Sequence, residues 1–272
     1  MGYEKQIKDE FKEASKKGLE KTKVVVIGAG RMGSLIHDMA QSDEENFISL
    51  GTVEALKGET IHQICWQKCQ EPDILIDFSN PENLDMILQY AMSKKCGVVI
   101  ATTGYTPEQE IKIAELAKEV PVIKSANFSL GITVMKHVLE DITPVLKEAF
   151  DIEVLEKHHN KKADSPSGTA KMLVDVIDRT GDFDKKYGRV GIGLRGKEIG
   201  IHAIRGGTIV GEHTVMFAGE DEIIEIKHVA TSKRIFAIGA LEAARFLHQK
   251  KVEGKAGMYS VDEVLFYDDI NC

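Results

Sequence analysis

The fold can be read from Lys23-Val24-Val25-Val26-Ile27-Gly28-Ala29-Gly30-Arg31-Met32-Gly33. A β-branched run ends in three glycines spaced G-x-G-x-x-G, and Met32 to Gln41 behind them has the pattern of a helix. Glycines so placed permit a tight turn, let the backbone approach a pyrophosphate and aim the first helix N–H groups at it. The spacing alone would also serve plain strand–helix packing. Its context adds Glu54, which follows a second strand, Phe47 to Val53, 21 residues after Gly33. A dinucleotide site needs an acid there for the adenosine ribose. A carboxylate at that point repels a 2′-phosphate and favours NADH, whereas Arg31 and Lys57 bring charge that acts the other way.

Outward from this stretch, Ile74 to Asp77, Val98 to Ala101 and Val120 to Lys124 are further short apolar runs. A helix is expected from about Glu82 to Met92, and Thr106-Pro107-Glu108-Gln109 has the form of a capping box that opens another. Apolar strands alternating with helices predict a Rossmann-type α/β fold, a doubly wound parallel sheet covered on both faces. The later chain reads differently. Helices are expected over Ile132 to Ala149, Thr169 to Arg179 and Ser232 to Gln249, with a strand at Ile152 to Leu155 and a short closing element at Val261 to Phe266. Gly-containing turns separate strands at Ile199 to Ile204, Gly211 to Phe217 and Glu222 to Val229. This predicts an α+β domain with a mixed, largely antiparallel sheet. Ahead of both parts, Ile7, Phe11 and Ala14 recur at helical spacing among charged residues, so residues 1–21 read as an added surface helix.

Composition narrows the function. The 272 residues carry 35 basic and 43 acidic side chains, a net charge of −8, which argues against a nucleic-acid partner. Hydrophobic residues at 43% and charged residues at 29% suit a soluble chain that buries a sizeable core. Cys65, Cys69, Cys96 and Cys272 form neither a disulfide framework nor zinc-site spacing, and read as buried thiols with no metal site. Neither a membrane-length apolar run nor a signal-peptide core is present, so the expected compartment is the reducing cytoplasm.

Two further motifs carry chemistry. Thr102-Thr103-Gly104 follows a strand, where small polar residues would face the nicotinamide side of a doubly wound sheet or simply turn the chain. Glu156-Lys157-His158-His159-Asn160-Lys161-Lys162-Ala163-Asp164-Ser165-Pro166-Ser167-Gly168-Thr169 is entered by a strand and left by a helix. Histidine is the side chain suited to donating a proton near neutral pH. Lysine supplies fixed positive charge, and the Gly168 and Thr169 N–H groups at a helix start form an anion site. Together they suit a small dianion that must accept a proton; the plainer reading is a solvated basic loop.

These segments occur in a fixed order with Asp77-Phe78-Ser79-Asn80-Pro81, Ala126-Asn127-Phe128-Ser129, Gly211-Glu212-His213-Thr214 and Phe236-Ala237-Ile238-Gly239-Ala240. In this the chain resembles the 4-hydroxy-tetrahydrodipicolinate reductase (dihydrodipicolinate reductase) family, from about residue 23 to the end. The resemblance implies reduction of an unsaturated cyclic dicarboxylate by NADH or NADPH in the diaminopimelate route to lysine. It implies that His158 donates the proton and that Lys162 is the second catalytic or substrate-binding group. His159, Gly168 and Thr169 would hold a substrate carboxylate. The dinucleotide would lie against Gly28, Ala29, Gly30, Arg31, Met32, Gly33 and Glu54. Phe78, Ala101, Thr102, Thr103, Gly104, Ala126, Asn127, Phe128 and Lys233 would complete the cofactor site.

The implied plan is a helical extension over 1–21, a dinucleotide-binding domain over 22–128 and 235–272, and a substrate-binding and oligomerisation domain over 129–234. Hinges would lie near Ser129 and Ser232, and the assembly would be a homotetramer joined through the second domain's sheet. Two departures stand out: Ile27 occupies the family's first glycine position, and Lys233 takes the place of an arginine, with Arg234 next. Residues 1–21 match nothing in the family. An amino-acid dehydrogenase on the same plan, or a nonenzymatic dinucleotide-sensing module, is the alternative; the latter would have no reason to keep His158 and Lys162 together.

Overall fold

The computed structural model describes residues 20–54 and 58–270. The expected helix over residues 1–21 lies, as far as residue 19, outside the described residues, as do Lys57 and Cys272. The chain divides into two compact units. One runs to Ser125 and resumes at Ala240; the other is Ala126–Gly239.

The first unit is built on six parallel strands. These are β1 (Thr22–Ile27), β2 (Phe47–Val53), β3 (Ile74–Asp77), β4 (Gly97–Ile100), β5 (Pro121–Lys124) and, late in the chain, Gly257–Tyr259, in the order β2-β1-β3-β4-β5 followed by the last strand. Val24 to Ile27 and Ile74 to Ile76 are fully buried, which is why these runs carry no polar alternation. The helices are α1 (Arg31–Ser42), α2 (Ile61–Lys68), α3 (Leu84–Lys94) and α4 (Pro107–Ala117), with most of one later helix and the whole of the last. The capping box at α4 forms as expected: Gln109 N–H donates to Thr106, and the Gln109 side chain returns to the Thr106 backbone. Strand order reverses between β1 and β3, so the glycine turn leaves β1 at the switch point, where ligands of such sheets bind.

The second unit pairs two helices, α5 (Leu130–Leu146) and α6 (Gly168–Ile177), with a five-stranded sheet. Its strands are β6 (Asp151–His158), β7 (Asp184–Tyr187), β8 (Glu198–Arg205), β9 (Gly211–Ala218) and β10 (Ile223–Ala230), in the order β10-β9-β6-β8-β7. Ile152 and Val154 of β6 join Leu173 and Val174 of α6 and Leu139 of α5 in its core. The sheet is mixed. β9 pairs antiparallel with β6 and β10, whereas β8 runs parallel to β6 and β7. The antiparallel bias expected from the Gly-containing turns therefore holds for only half the pairings, because the crossover through α6 returns β8 in the direction of β6. α7 (Arg234–Val252) follows β10, the last strand is β11 (Gly257–Tyr259), and α8 (Val261–Ile270) closes the chain.

Three local expectations are corrected. Cys65 and Cys96 are buried, but Cys69 is exposed, just past the end of α2 with φ 51°. The closing element is a helix that runs on to Ile270, and α2, β7 and β11 are additional to the expected elements. β7 is exposed along its whole length and β11 has three residues, so neither shows an apolar pattern. Among the described residues no helix is long and apolar enough to cross a membrane.

Candidate functional site

In the first unit, β1 delivers the chain into the glycine turn. Gly28 has φ 101°, and a Cβ there would come 2.5 Å from the Phe78 carbonyl oxygen. A Cβ on Gly33 would come 1.7 Å from the Gly28 carbonyl oxygen. These two glycines are therefore required by the fold. Gly30 differs: nothing lies within 4 Å of the place its Cβ would take, and its φ of −74° suits any residue. It is the N-cap of α1 yet offers no side-chain cap, and the first turn holds no acid. The uncapped helix start and the open space over Gly30 fit a pyrophosphate. Ile27 is the last residue of β1 and fully buried, so this departure from the family pattern lies in the strand.

Parallel strands bring Glu54, Phe78, Ala101 and Thr102 to the same edge, whereas Ala126 to Phe128 and Lys233 belong to the second unit. Gly28 N–H donates to Val53 O, placing Glu54 beside the turn; Glu54 N–H in turn donates to Glu59 Oε2 at 2.8 Å. Phe78 N–H donates to Ile27 O, and Ala101 N–H to Asp77 O. Asp77, wholly buried at the end of β3, binds these loops together. Its Oδ1 accepts from Ser79 N (3.1 Å) and Ser79 Oγ (2.5 Å), its Oδ2 from Tyr105 Oη (3.0 Å), and Ser79 N–H is shared with Thr102 Oγ1 (3.0 Å). Burial raises the Asp77 carboxyl above its ordinary value despite these bonds, Ser79, Thr102 and Tyr105 opposing the rise. Thr103 and Gly104 follow on an exposed turn.

In the second unit, β6 ends at His158, and its register sets His158 beside Arg205 of β8 and Glu156 beside His213 of β9. Glu156 is wholly buried and bonded to the His158 ring, to Arg205 and to Ser167 N–H. Burial alone would raise its carboxyl, but Arg205, His158 and Ser167 together hold it below the usual range. His158 is lowered, chiefly by burial, against the raising influence of Glu156. His213 lies edge-on to His158 at 5.2 Å between ring centres and meets Ser167 Oγ at 3.0 Å; burial pushes it down to about 4, so it is neutral at pH 7.

Ser167 caps α6, its Oγ accepting from Ala170 N–H, which leaves the Gly168 and Thr169 N–H groups at the helix start. Asn127 Nδ2 donates to Thr169 Oγ1 at 2.9 Å, so the segment at residues 126–128 is tied to the anion turn, and Phe128 is buried. Lys162 Nζ pairs with Asp164 Oδ1 at 2.8 Å. His159 has a buried Nδ1 with no hydrogen-bond partner, a polar atom that a ligand could satisfy. Lys233 is exposed in the turn ahead of α7. A separate cavity of 470 Å³, lined by Lys147, Phe150, Phe183 and Arg195 among others, opens at Asp151, the other end of β6. Arg195 pairs there with Asp151, and the cavity contains none of these site residues.

The first unit thus carries an anion-ready glycine turn with a nearby acid, and the second a polar bend with a buried imidazole, a lysine and a helix start of its own. The sequence model described as dihydrodipicolinate reductase, N-terminus, matches residues 22–128, and that described as dihydrodipicolinate reductase, C-terminus, matches 131–265. The chain belongs to the dihydrodipicolinate reductase family. The 4-hydroxy-tetrahydrodipicolinate reductase of Clostridium novyi (strain NT) is 44% identical over 252 residues, covering 90% of this chain and 98% of that protein. The protein of the same name from Clostridium tetani is 43% identical over 254 residues, covering 89% and 96%. Among solved structures, a dipicolinate-bound dihydrodipicolinate reductase from Paenisporosarcina sp. TG-14 shares the fold, with a TM-score of 0.69 at 21% identity, covering 89% of this chain and 98% of that one. A Corynebacterium glutamicum DAP dehydrogenase in complex with DAP shares it more loosely, with a TM-score of 0.55 at 12% identity over 93% of this chain and 99% of that one.

Sequence reasoning gave no role to Asp77, Tyr105, Ser167, Arg205 or His213. The available signals were a glutamate at position 156 on the core-facing side of an alternating strand, and an aspartate at position 77 ending an otherwise wholly apolar one. Both are carboxylates that a fold buries only with partners.

Proposed function

We propose that this chain reduces 4-hydroxy-tetrahydrodipicolinate, with loss of its hydroxyl as water, or the dihydrodipicolinate that this dehydration leaves, to tetrahydrodipicolinate in diaminopimelate and lysine biosynthesis, using NADH or NADPH. The observation that carries the reading is the intact bend from Glu156 to Thr169, in which a proton-bearing imidazole, an ammonium and a helix start share one short segment. In a family member, that combination suits a dianion that must be protonated.

The nicotinamide, when bound, supplies the hydride. The Gly28–Gly33 turn and the first N–H groups of α1 hold the pyrophosphate, and Glu54 takes the ribose hydroxyls. Phe78, Ala101 to Gly104, Ala126 to Phe128 and Lys233 complete that site. Lys162 exchanges Asp164 for one substrate carboxylate. The Gly168 and Thr169 N–H groups, with His159, take the other. Fixing both ends of the ring lowers the entropic part of the barrier. As negative charge moves toward the ring nitrogen, His158 gives up its proton from Nε2, the nitrogen not bonded to Glu156. Glu54, with the Glu59 carboxylate at its backbone, sets negative charge where a 2′-phosphate would lie and favours NADH. The assembly is a homotetramer in the cytoplasm, joined through the second sheet, where Val190, Ile192 and Leu194 stand fully exposed on a loop between β7 and β8.

The test is a coupled reaction that generates the unstable substrate in the presence of NADH or NADPH. The proposal expects rapid oxidation of both cofactors, with higher kcat/KM for NADH. Absence of turnover with either would overturn it.

A further inference from the structure

Glu156 does more than lie beside the proton donor. Its Oε2 accepts from His158 Nδ1 at 2.6 Å and from Arg205 Nη1 at 2.8 Å. Its Oε1 accepts from Arg205 Nη2 at 2.7 Å and from Ser167 N–H at 2.9 Å. Arg205 Nη2 also donates to the Asp164 carbonyl at 2.6 Å. One buried carboxylate therefore joins the end of β6, the end of β8 and the cap of α6. The guanidinium grips it on both oxygens, the strong geometry for such a pair. An ionised carboxylate can only accept, so Nδ1 must carry the hydrogen it shares with Glu156.

We propose that Glu156, clamped by Arg205, is a positioning residue that fixes His158 in the Nδ1–H tautomer, makes Nε2 its only proton-exchanging atom and keeps that atom in register with the Ser167–Thr169 anion turn. The inference rests on the reading of His158 as proton donor. In the catalytic step Nε2 loses the proton it took from solvent, the substrate gains it, and the ring returns to the neutral Nδ1–H form with Glu156 unchanged. The groups facing the ring are Glu156 on its own strand, Lys162 from the following loop, Arg205 from β8 and His213 from β9. Only Glu156 favours the charged ring. Gly211 of β9 leaves the ring its place, since a Cβ there would come 3.1 Å from Nε2.

The experiment is nitrogen NMR of the histidine rings across pH in the full-length protein, together with the pH profile of kcat. The His158 signal is identified by its loss in His158→Gln. Glu156→Gln puts an amide N–H opposite Nδ1, so the neutral ring should switch to the Nε2–H tautomer. Its titration should move down by about one pH unit or more, as loss of a contacting opposite charge predicts. At neutral pH, kcat should fall about tenfold or more while the KM for NADH stays within about twofold. Arg205→Lys keeps a cation on Glu156 and should retain the wild-type tautomer. If Glu156→Gln alone does not fold, Glu156→Gln with Arg205→Met removes the stranded guanidinium and carries the same expectations. A folded variant whose His158 keeps the Nδ1–H tautomer and its titration overturns the inference. The ring spectrum needs no substrate, so this outcome is separate from failure of the wild-type protein to reduce one, which would sink the reductase reading instead.

Discussion

Replacing Gly30 by alanine separates cofactor binding from folding more cleanly than any other change in the glycine turn. Gly28 and Gly33 cannot report on the cofactor alone. A side chain on Gly28 meets the Phe78 carbonyl at 2.5 Å in a left-handed backbone, and one on Gly33 meets Gly28 O at 1.7 Å. Strain of about 1–2 kcal/mol and overpacking of about 1–3 kcal/mol would destabilise the unit itself. At Gly30 the space is empty for 4 Å and φ is −74°. Alanine there gains about 0.4–1 kcal/mol by restricting the unfolded chain and loses a similar amount as a poorer N-cap. Thermal stability should therefore shift by less than about 1 kcal/mol. The added methyl occupies the approach of the pyrophosphate. Losing one charge-assisted hydrogen bond from the helix start costs about 1.5–3 kcal/mol, or about a tenfold to hundredfold rise in Kd for NADH. Fluorescence titration of NADH beside a thermal melt reads both quantities. A Gly30→Ala protein that melts normally and binds NADH like wild type would refute the placement of the pyrophosphate.

Three further outcomes are expected. His213 falls from the ordinary 6.5 to about 4 in the folded chain, so between these values the unfolded chain binds the extra proton. Its contribution is complete above about pH 6.5 and is lost as pH falls toward 4, a swing of about 3 kcal/mol at about 1.4 kcal/mol per pKa unit; urea unfolding across this range should lose that slope in His213→Gln. Asp77→Ala strands the hydrogen-bond donors on Ser79 and Tyr105 and should raise the Kd for NADH about tenfold or more. Asp77→Asn, which keeps an acceptor for Ser79, should restore most of the binding; equal loss in both would argue against a splint between the two loops. Changing Val190, Ile192 and Leu194 to serine should lower the mass seen in sedimentation from that of a tetramer, and an unchanged mass would place the interface elsewhere.

Much of this was legible in the sequence because it is local. The strand at 23–27, the glycine turn, the capping box at Thr106 and the bend from Glu156 to Thr169 depend on residues a few positions apart. What stayed hidden depends on register. Arg205 reaches Glu156 from 49 residues away, because β8 runs parallel to β6 and ends beside His158. Side-chain alternation in β8 says that it is a strand and nothing about its direction. Asp77 binds Tyr105 across 28 residues for the same reason: β3 and β4 end on one edge. Cys69 shows the reverse failure, since a thiol read by type alone as buried lies past the end of a helix, in solvent.

Steady-state reduction of the biosynthetic substrate by His158→Gln decides whether the bend from Glu156 to Thr169 carries the proton transfer. Glutamine keeps a polar group of similar reach but cannot carry a transferable proton. If the imidazole at the end of β6 protonates the substrate, kcat falls by about a hundredfold or more while NADH binding is unchanged. A kcat equal to that of wild type would remove His158, and with it the bend that it heads, from the chemistry.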